Sequence, residues 1–271
     1  MNGEEIDIIK LGGSVITDKA NYKVLNKKVL ENLVKIIGKW KNRCIIVHGA
    51  GSFGHIIAEK YSLTSGYQNE EQLDGLTQIR YDMSELSLKI LESFREENIR
   101  VLDFQTSALI YQKGEQNEKE FFLLPLIKAL NLGMIPVLSG DILFSDDASF
   151  TIFSGDSLIE LLTQKIEINR VIFLTDVDGL MVTDPVNRSV KLLETTDFEE
   201  FKDIELADYI SPKISDVTGG MIGKINTIKT ILDHVNRIII INGNYPERFH
   251  KILEMETTIC TSILGKKSTK R

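Results

Sequence analysis

The sequence predicts an α/β protein: an open, mostly parallel sheet with helices on both faces. Three observations predict it. Apolar runs of strand length alternate with stretches of helical period. Several runs are apolar almost throughout, which suits strands covered on both sides of a parallel sheet. Polar and glycine-rich turns cluster at the C-terminal ends of the runs, where open α/β sheets bind their ligands.

The elements follow in order. Ile6 to Leu11 reads as a central strand running into Gly12-Gly13-Ser14. Asn26 can cap a helix to about Trp40, with Val29, Leu30, Leu33, Val34, Ile36 and Ile37 on its apolar face. Cys44 to Val47 is a second strand. It feeds the stretch His48-Gly49-Ala50-Gly51-Ser52-Phe53-Gly54-His55, with a helix expected from about Ile56 to Tyr61. Leu73, Leu76, Ile79, Met83, Leu86, Ile90 and Phe94 have helical spacing, so one long helix should cover Glu71 to Glu97. Strands follow at Arg100 to Phe104 and Met134 to Leu138, with a hairpin or excursion at Glu115 to Leu124 between them. Ser149 to Phe153 is extended, and Ser154-Gly155-Asp156 caps a helix from Ser157 to about Lys165. Val171 to Leu174 ends at Thr175-Asp176-Val177-Asp178-Gly179. Ser215 to Met221 leads a helix to about His234, and Arg237 to Ile241 is the last strong strand. Two closely joined lobes are expected, 1–165 and 166–271, forming one unit.

Composition narrows the function classes. The chain has 271 residues, enough for a large core, and 42% hydrophobic with 26% charged residues is ordinary for a globular protein. A net charge of −7 argues against a nucleic-acid binder, which needs a basic face. The basic residues from Lys266 to Arg271 read as a solvated tail. Cys44 and Cys260 are far apart with no CxxC, so buried thiols are expected and a structural zinc site is not. No run approaches the about 18 apolar residues of a membrane span, and Met1-Asn2-Gly3-Glu4-Glu5 lacks the features of a leader. A cytoplasmic protein is expected.

The stretch from His48 to His55 organises the chemistry. A buried strand, a glycine turn and a helix N-terminus make an anion site, because the first helical N–H groups have no partner within the helix. Gly49 to Gly54 formally matches GxGxxG, but the acidic residue expected about 20 positions later at a strand end is lacking, since Glu70 and Glu71 open a helix. Three lysines add to the turns. Lys10 precedes Gly12-Gly13, Lys19 follows it, and Lys224 lies just after Gly219-Gly220-Met221. Each alone is an ordinary surface residue; together with three glycine turns they suit two mutually repelling phosphates. Like unit charges about 4 Å apart cost about 1 kcal/mol in water and about 4 near a protein surface. Phosphoryl transfer is mostly positioning and neutralisation of such charge. There is no Walker A motif.

The chain here resembles the amino acid kinase superfamily. The resemblance rests on Lys10-Leu11-Gly12-Gly13-Ser14, the turn at Gly49, Ser154-Gly155-Asp156, Thr175-Asp176-Val177-Asp178-Gly179-Leu180 and Gly219-Gly220-Met221-x-x-Lys224. Lys10 to Lys19 and Gly51-Ser52-Phe53-Gly54-His55 are similar to the isopentenyl phosphate kinases, His55 being the distinguishing residue. That resemblance implies the amino acid kinase fold, a homodimer, and transfer of the ATP γ-phosphoryl group to isopentenyl phosphate with Mg2+ accompanying ATP. It implies that N–H groups of Gly12, Gly13 and Gly51 surround the ATP phosphates, with Ser14 beside them. Lys10 and Lys224 would bridge the transferring group, Asp156 would hold both, and Lys19 would add charge nearby. His55 would hydrogen-bond the acceptor phosphate, with Ala50, Gly51, Gly54 and Gly155 near it. Asp176, Gly179 and Gly219 would line the nucleotide pocket. No residue is expected to be a protein-held metal ligand; Asp146-Asp147 reads as a hairpin turn. Ala50 departs from the family's usual glycine, so its peptide must sit in an ordinary backbone region.

On spacing alone, His55 could equally be an exposed residue at a helix start, and His48 is better read as packed. Tyr81, Met83, Ile90 and Phe94 are candidates for an acceptor-tail pocket but suit core packing better. The closest rival is a fosfomycin kinase or another small phosphate or phosphonate kinase. The rival of another class is a non-catalytic nucleotide sensor, which would be expected to lack Lys10, Asp156 or Lys224.

Overall fold

The computed structural model of the chain describes residues 5–114, 118–183, 189–203 and 220–268. In the first half, β1 (Ile6–Leu11), α1 (Gly13–Ile16), α2 (Lys27–Ile37), β2 (Arg43–His48), α3 (Gly51–Lys60), α4 (Glu71–Glu96) and β3 (Val101–Asp103) follow one another. Next come α5 (Thr106–Leu109), β4 (Ile110–Lys113), β5 (Glu118–Phe121), α6 (Leu124–Asn131), β6 (Ile135–Ser139), β7 (Asp141–Ser145), β8 (Ser149–Phe153) and α7 (Gly155–Lys165). The second half holds β9 (Arg170–Thr175), β10 (Met181–Thr183), β11 (Val190–Leu192), β12 (Thr195–Thr196), α8 (Phe198–Asp203), α9 (Gly220–Ile231), β13 (Arg237–Asn242), α10 (Pro246–Leu253) and β14 (Thr261–Leu264).

The main sheet has eight strands in the order β12-β14-β13-β9-β1-β2-β6-β3. All its pairings are parallel except β13 with β14. A second sheet, β5-β4-β7-β8, is the excursion expected near Glu115, with β7 and β8 joined across Asp146-Asp147.

Alternation along β1 divides the core. Ile9 and Leu11 face a cluster with α2, α3 and α4, whereas Ile6 and Ile8 face one with α7 and α9. Lys10 has the parity of Ile6 and Ile8, so β1 itself sends its ammonium toward α7 and α9. The register Lys10↔Val47 and Lys10↔Phe173 places β1 squarely between β2 and β9.

Several boundaries differ from expectation. The helix after β2 begins at Gly51 and not near Ile56, so the chain turns only at Gly49 and Ala50. The glycines suggested a longer turn because glycine weakens a helix interior by roughly 1 kcal/mol. Here Gly54 buys a close helix contact: a Cβ there would stand 2.6 Å from the Ala50 Cβ and 3.3 Å from the Met83 Sδ. Asn26 precedes α2 as expected, but its side chain donates to the Val15 carbonyl at 2.9 Å and does not cap the helix. That helix ends at Ile37; Trp40 lies beyond it, stacked on Phe249 at 5.4 Å and donating to Asp7 at 2.9 Å. Tyr81 is exposed, while Met83, Ile90 and Phe94 are core residues. Cys44 and Cys260 are buried free thiols.

Candidate active site

The glycine turns after β1 and β2 are pressed backbone to backbone. A Cβ on Gly13 would fall 2.3 Å from the Gly51 nitrogen, and one on Gly49 would fall 2.7 Å from the Gly13 nitrogen. Gly51 has a φ of +50°, and a Cβ there would meet the Thr17 hydroxyl at 2.0 Å. Thr17 stitches the two turns: its hydroxyl donates to the Gly13 carbonyl at 2.7 Å and accepts from the Ser52 N–H at 3.0 Å. Thr17 falls within the motif from Lys10 to Lys19, but nothing in the sequence assigned it a role, because its partners belong to two separate turns.

Gly13 and Ser14 open α1, and Gly51 opens α3, so their N–H groups have no acceptor within their own helices. Gly12 differs from the implied role. Its N–H donates to the Leu174 carbonyl at 2.9 Å and is not available to a phosphate. Gly12 instead permits close approach of β9, where a Cβ would stand 2.4 Å from the Leu174 oxygen. Ala50 has φ −72° and ψ −34°, an ordinary right-handed conformation, so the alanine carries no backbone strain.

A lysine–aspartate–lysine cluster joins β1, α7 and α9. Asp156 sits in the first turn of α7, whose N-cap Ser154 accepts from the Ser157 N–H at 3.0 Å. Lys10 Nζ is 2.6 Å from Asp156 Oδ1, and Lys224 Nζ, from α9, is 3.4 Å from Oδ2. Both ammonium groups also face the Phe173 ring, at 5.9 and 4.9 Å from its centre. Burial pushes the Lys10 ammonium down to about 8, with Lys224 adding to the fall and Asp156 opposing it. Burial pushes Asp156 upward, but the two lysines outweigh it and hold the carboxyl at about 2. A Cβ on Gly155 would be 3.5 Å from the Lys10 Cε, so the start of α7 borders the same ammonium.

A second cluster lies on the β9 side. Lys19 Nζ is 2.9 Å from Asp176 Oδ2, and the Ser14 hydroxyl donates to Asp176 Oδ1 at 3.0 Å. Burial raises the Asp176 pKa, while Lys19 and Ser14 together hold it below the usual carboxylate range. Gly179, at φ +154°, packs where a Cβ would meet the Thr261 hydroxyl at 2.4 Å. Gly219 lies outside the described residues.

His55 is half-buried on α3, one turn beyond Gly51 and so on the same helical face. His48 is fully buried: Nδ1–H donates to the Gly49 carbonyl at 3.2 Å and Nε2 accepts from the Ser87 hydroxyl at 2.9 Å. The packed reading of His48 therefore holds.

Among the described residues no group of three or more His, Cys, Asp or Glu side chains can hold a metal. Asp156 and Asp176 are each already paired with lysine. No helix among the described residues is long and apolar enough to cross a membrane.

The fold and these clusters are those of a phosphotransferase of the amino acid kinase family, to which the chain belongs: the model of that family matches residues 6–242. It is 32% identical over 246 residues to the isopentenyl phosphate kinase of Thermoplasma acidophilum, covering 90% of this chain and 95% of that one. It is 33% identical to the isopentenyl phosphate kinase of Methanothermobacter thermautotrophicus, covering 96% and 99%. The crystal structure of the T. acidophilum enzyme in a product complex superposes with a TM-score of 0.77 at 30% identity, over 95% of this chain and 99% of that one.

Proposed function

We propose that the chain transfers the ATP γ-phosphoryl group to isopentenyl phosphate, yielding isopentenyl diphosphate and ADP. The observation that carries this reading is the Lys10–Asp156–Lys224 cluster, in which Lys10 comes from the strand that leads into the first glycine turn. The similarity to isopentenyl phosphate kinases over nearly the whole chain supports the choice of acceptor.

The mechanism follows from these groups. N–H groups of Gly13, Ser14 and Gly51 would receive phosphate oxygens at two helix starts. Lys10 and Lys224 would neutralise charge on the transferring group, with Asp156 keeping the two ammonium groups from separating. Lys19 would exchange its bond to Asp176 for a phosphate oxygen. His55, with Ala50, Gly54 and Gly155, would hold the acceptor phosphate. His55 positions and does not serve as a base, because a phosphate monoester already carries an anionic nucleophilic oxygen near neutral pH. Mg2+ bound to ATP would screen the phosphate charges.

The wider assignments follow from the same reading. Residues 1–165 form the acceptor side and residues 166–271, with Asp176, Gly179 and Gly219, the nucleotide side. A cytoplasmic homodimer is proposed with them, and light scattering tests the dimer.

The deciding experiment measures ADP release with Mg2+ and ATP against isopentenyl phosphate, dimethylallyl phosphate, fosfomycin, glutamate and carbamate. Turnover with isopentenyl phosphate, alone or with its isomer, is expected. Turnover confined to fosfomycin would overturn the acceptor, and none with any acceptor would favour a sensor.

A further inference from the structure

Residues 17–25 close a loop between α1 and α2. Thr17 and Leu25 pair as an antiparallel bridge, the Asp18 N–H donates to the Val24 carbonyl at 2.9 Å, and the Asn26 N–H donates to the Ile16 carbonyl at 2.8 Å. Asp18 ties the tip together, accepting from the Ala20 N–H and the Asn21 side chain, each at 2.8 Å.

The loop is anchored on two sides. On one, Lys19 reaches Asp176 beyond β9. On the other, Tyr22 and Lys23 meet α4. Lys23 Nζ is 2.9 Å from Asp82 Oδ1 and also pairs with Glu85, and the Tyr22 hydroxyl donates to Asp82 Oδ2. Gln78 supplies a third donor to Asp82 at 2.9 Å.

Asp82 is wholly buried. A buried carboxylate is costly unless its lone pairs are filled, and here two of its three donors come from the loop. Lys23 has a φ of +60°, a left-handed conformation unfavourable for lysine and held by those bonds. The same helix packs Ile79 and Met83 at Gly54 of α3, next to the proposed acceptor site.

We propose that Asp82 is a positioning residue: through Tyr22 and Lys23 it fixes the loop that delivers Lys19, so the helix bordering the acceptor sets where the cation paired with Asp176 stands. The inference rests on the role given to Lys19 above. Asp82 touches neither substrate in this scheme and acts only through the loop.

The test combines kinetics with amide exchange. Asp82→Asn should lower kcat by about 10-fold with the KM for ATP changed less than about 3-fold, since a misplaced charge-stabilising group costs turnover more than binding. The double variant Tyr22→Phe/Lys23→Met, which alters partly exposed side chains, should do the same and guards against misfolding of the buried variant. Neither change should add to Lys19→Ala, because groups acting in series are non-additive. Exchange at the Asp18 and Asn26 amides should rise about 10-fold in both variants while exchange in β1 stays unchanged. Full additivity with Lys19→Ala, or unchanged loop exchange, overturns the proposal. Wild-type turnover in Lys19→Ala with faster loop exchange in Asp82→Asn would instead overturn the role of Lys19 and leave the anchor standing.

Discussion

Lys10 Nζ stands 2.6 Å from Asp156 Oδ1, yet the buried ammonium ionises near 8, well below an ordinary lysine. The ion pair is thus poised between two demands. It must stay charged to meet a phosphate, and burial works against that charge. In the free enzyme kcat/KM for ATP should therefore fall above about pH 8, tenfold per unit, as Lys10 loses its proton. Asp156→Asn removes a group that raises the lysine pKa, so the falling limb should move to lower pH. A profile flat to about pH 9.5 would remove Lys10 from the titration.

Lys10→Ala should lower turnover at least about 100-fold, as expected for one preorganised charge-stabilising group worth roughly 3–4 kcal/mol. The measurement is single-turnover ADP formation at saturating ATP. Near-normal turnover would refute the role assigned to Lys10.

His55→Gln should raise the KM for the acceptor by about tenfold, a loss of about 1.4 kcal/mol, with the KM for ATP little changed. Isothermal titration with isopentenyl phosphate separates binding from chemistry. An unchanged acceptor affinity would assign His55 to packing.

Gly54→Ala should destabilise the fold by about 1–3 kcal/mol through overpacking of Ala50 and Met83. Ala50→Gly in the same chain should restore much of that loss, since it removes the atom 2.6 Å from the new methyl. Urea midpoints of the two single variants and the double variant give the coupling; simple additivity would count against the contact.

His48 supplies a pH dependence of stability. Burial is the main cause that takes its pKa from an ordinary 6.5 down to about 4, so the unfolded chain binds a proton that the folded one refuses. Its contribution is complete above pH 6.5 and is lost as pH falls, by up to about 1.4 kcal/mol per unit until near pH 4. Urea unfolding of wild type and His48→Gln at pH 7, 6 and 5 should show a smaller slope for the variant.

Much of this fold was legible because local patterns agree with it. The β1 boundaries match the apolar run, and α4 follows its periodic leucines and isoleucines almost to the residue. Parity along β1 accounts for the direction of Lys10. The pairing of Lys19 with Asp176 was not legible, since 157 residues separate them and only the loop path brings them together. Gly12 was misread because a spare N–H and one spent on the neighbouring strand look alike in a sequence. The start of α3 was misread because glycines that allow two elements to touch look like glycines that make a turn. The short strands β10 to β12 and β14 lack a strong apolar run of their own: β10 and β11 pair with each other in a small separate sheet, and β12 and β14 depend on the end of the main sheet they join.

The place of β1 between β2 and β9 bears on how the chain is made. On the ribosome, β1 can pair with β2 soon after residue 48 emerges, but its other edge must wait for residues 170–175. Throughout that interval the nascent protein carries a bare, apolar strand edge, the kind that invites pairing with another chain. A chain halted after α7 would keep that edge permanently. The first 165 residues, although they hold one substrate's side of the cleft in the proposed scheme, would then emerge as an aggregation-prone fragment and not as a free-standing half-enzyme.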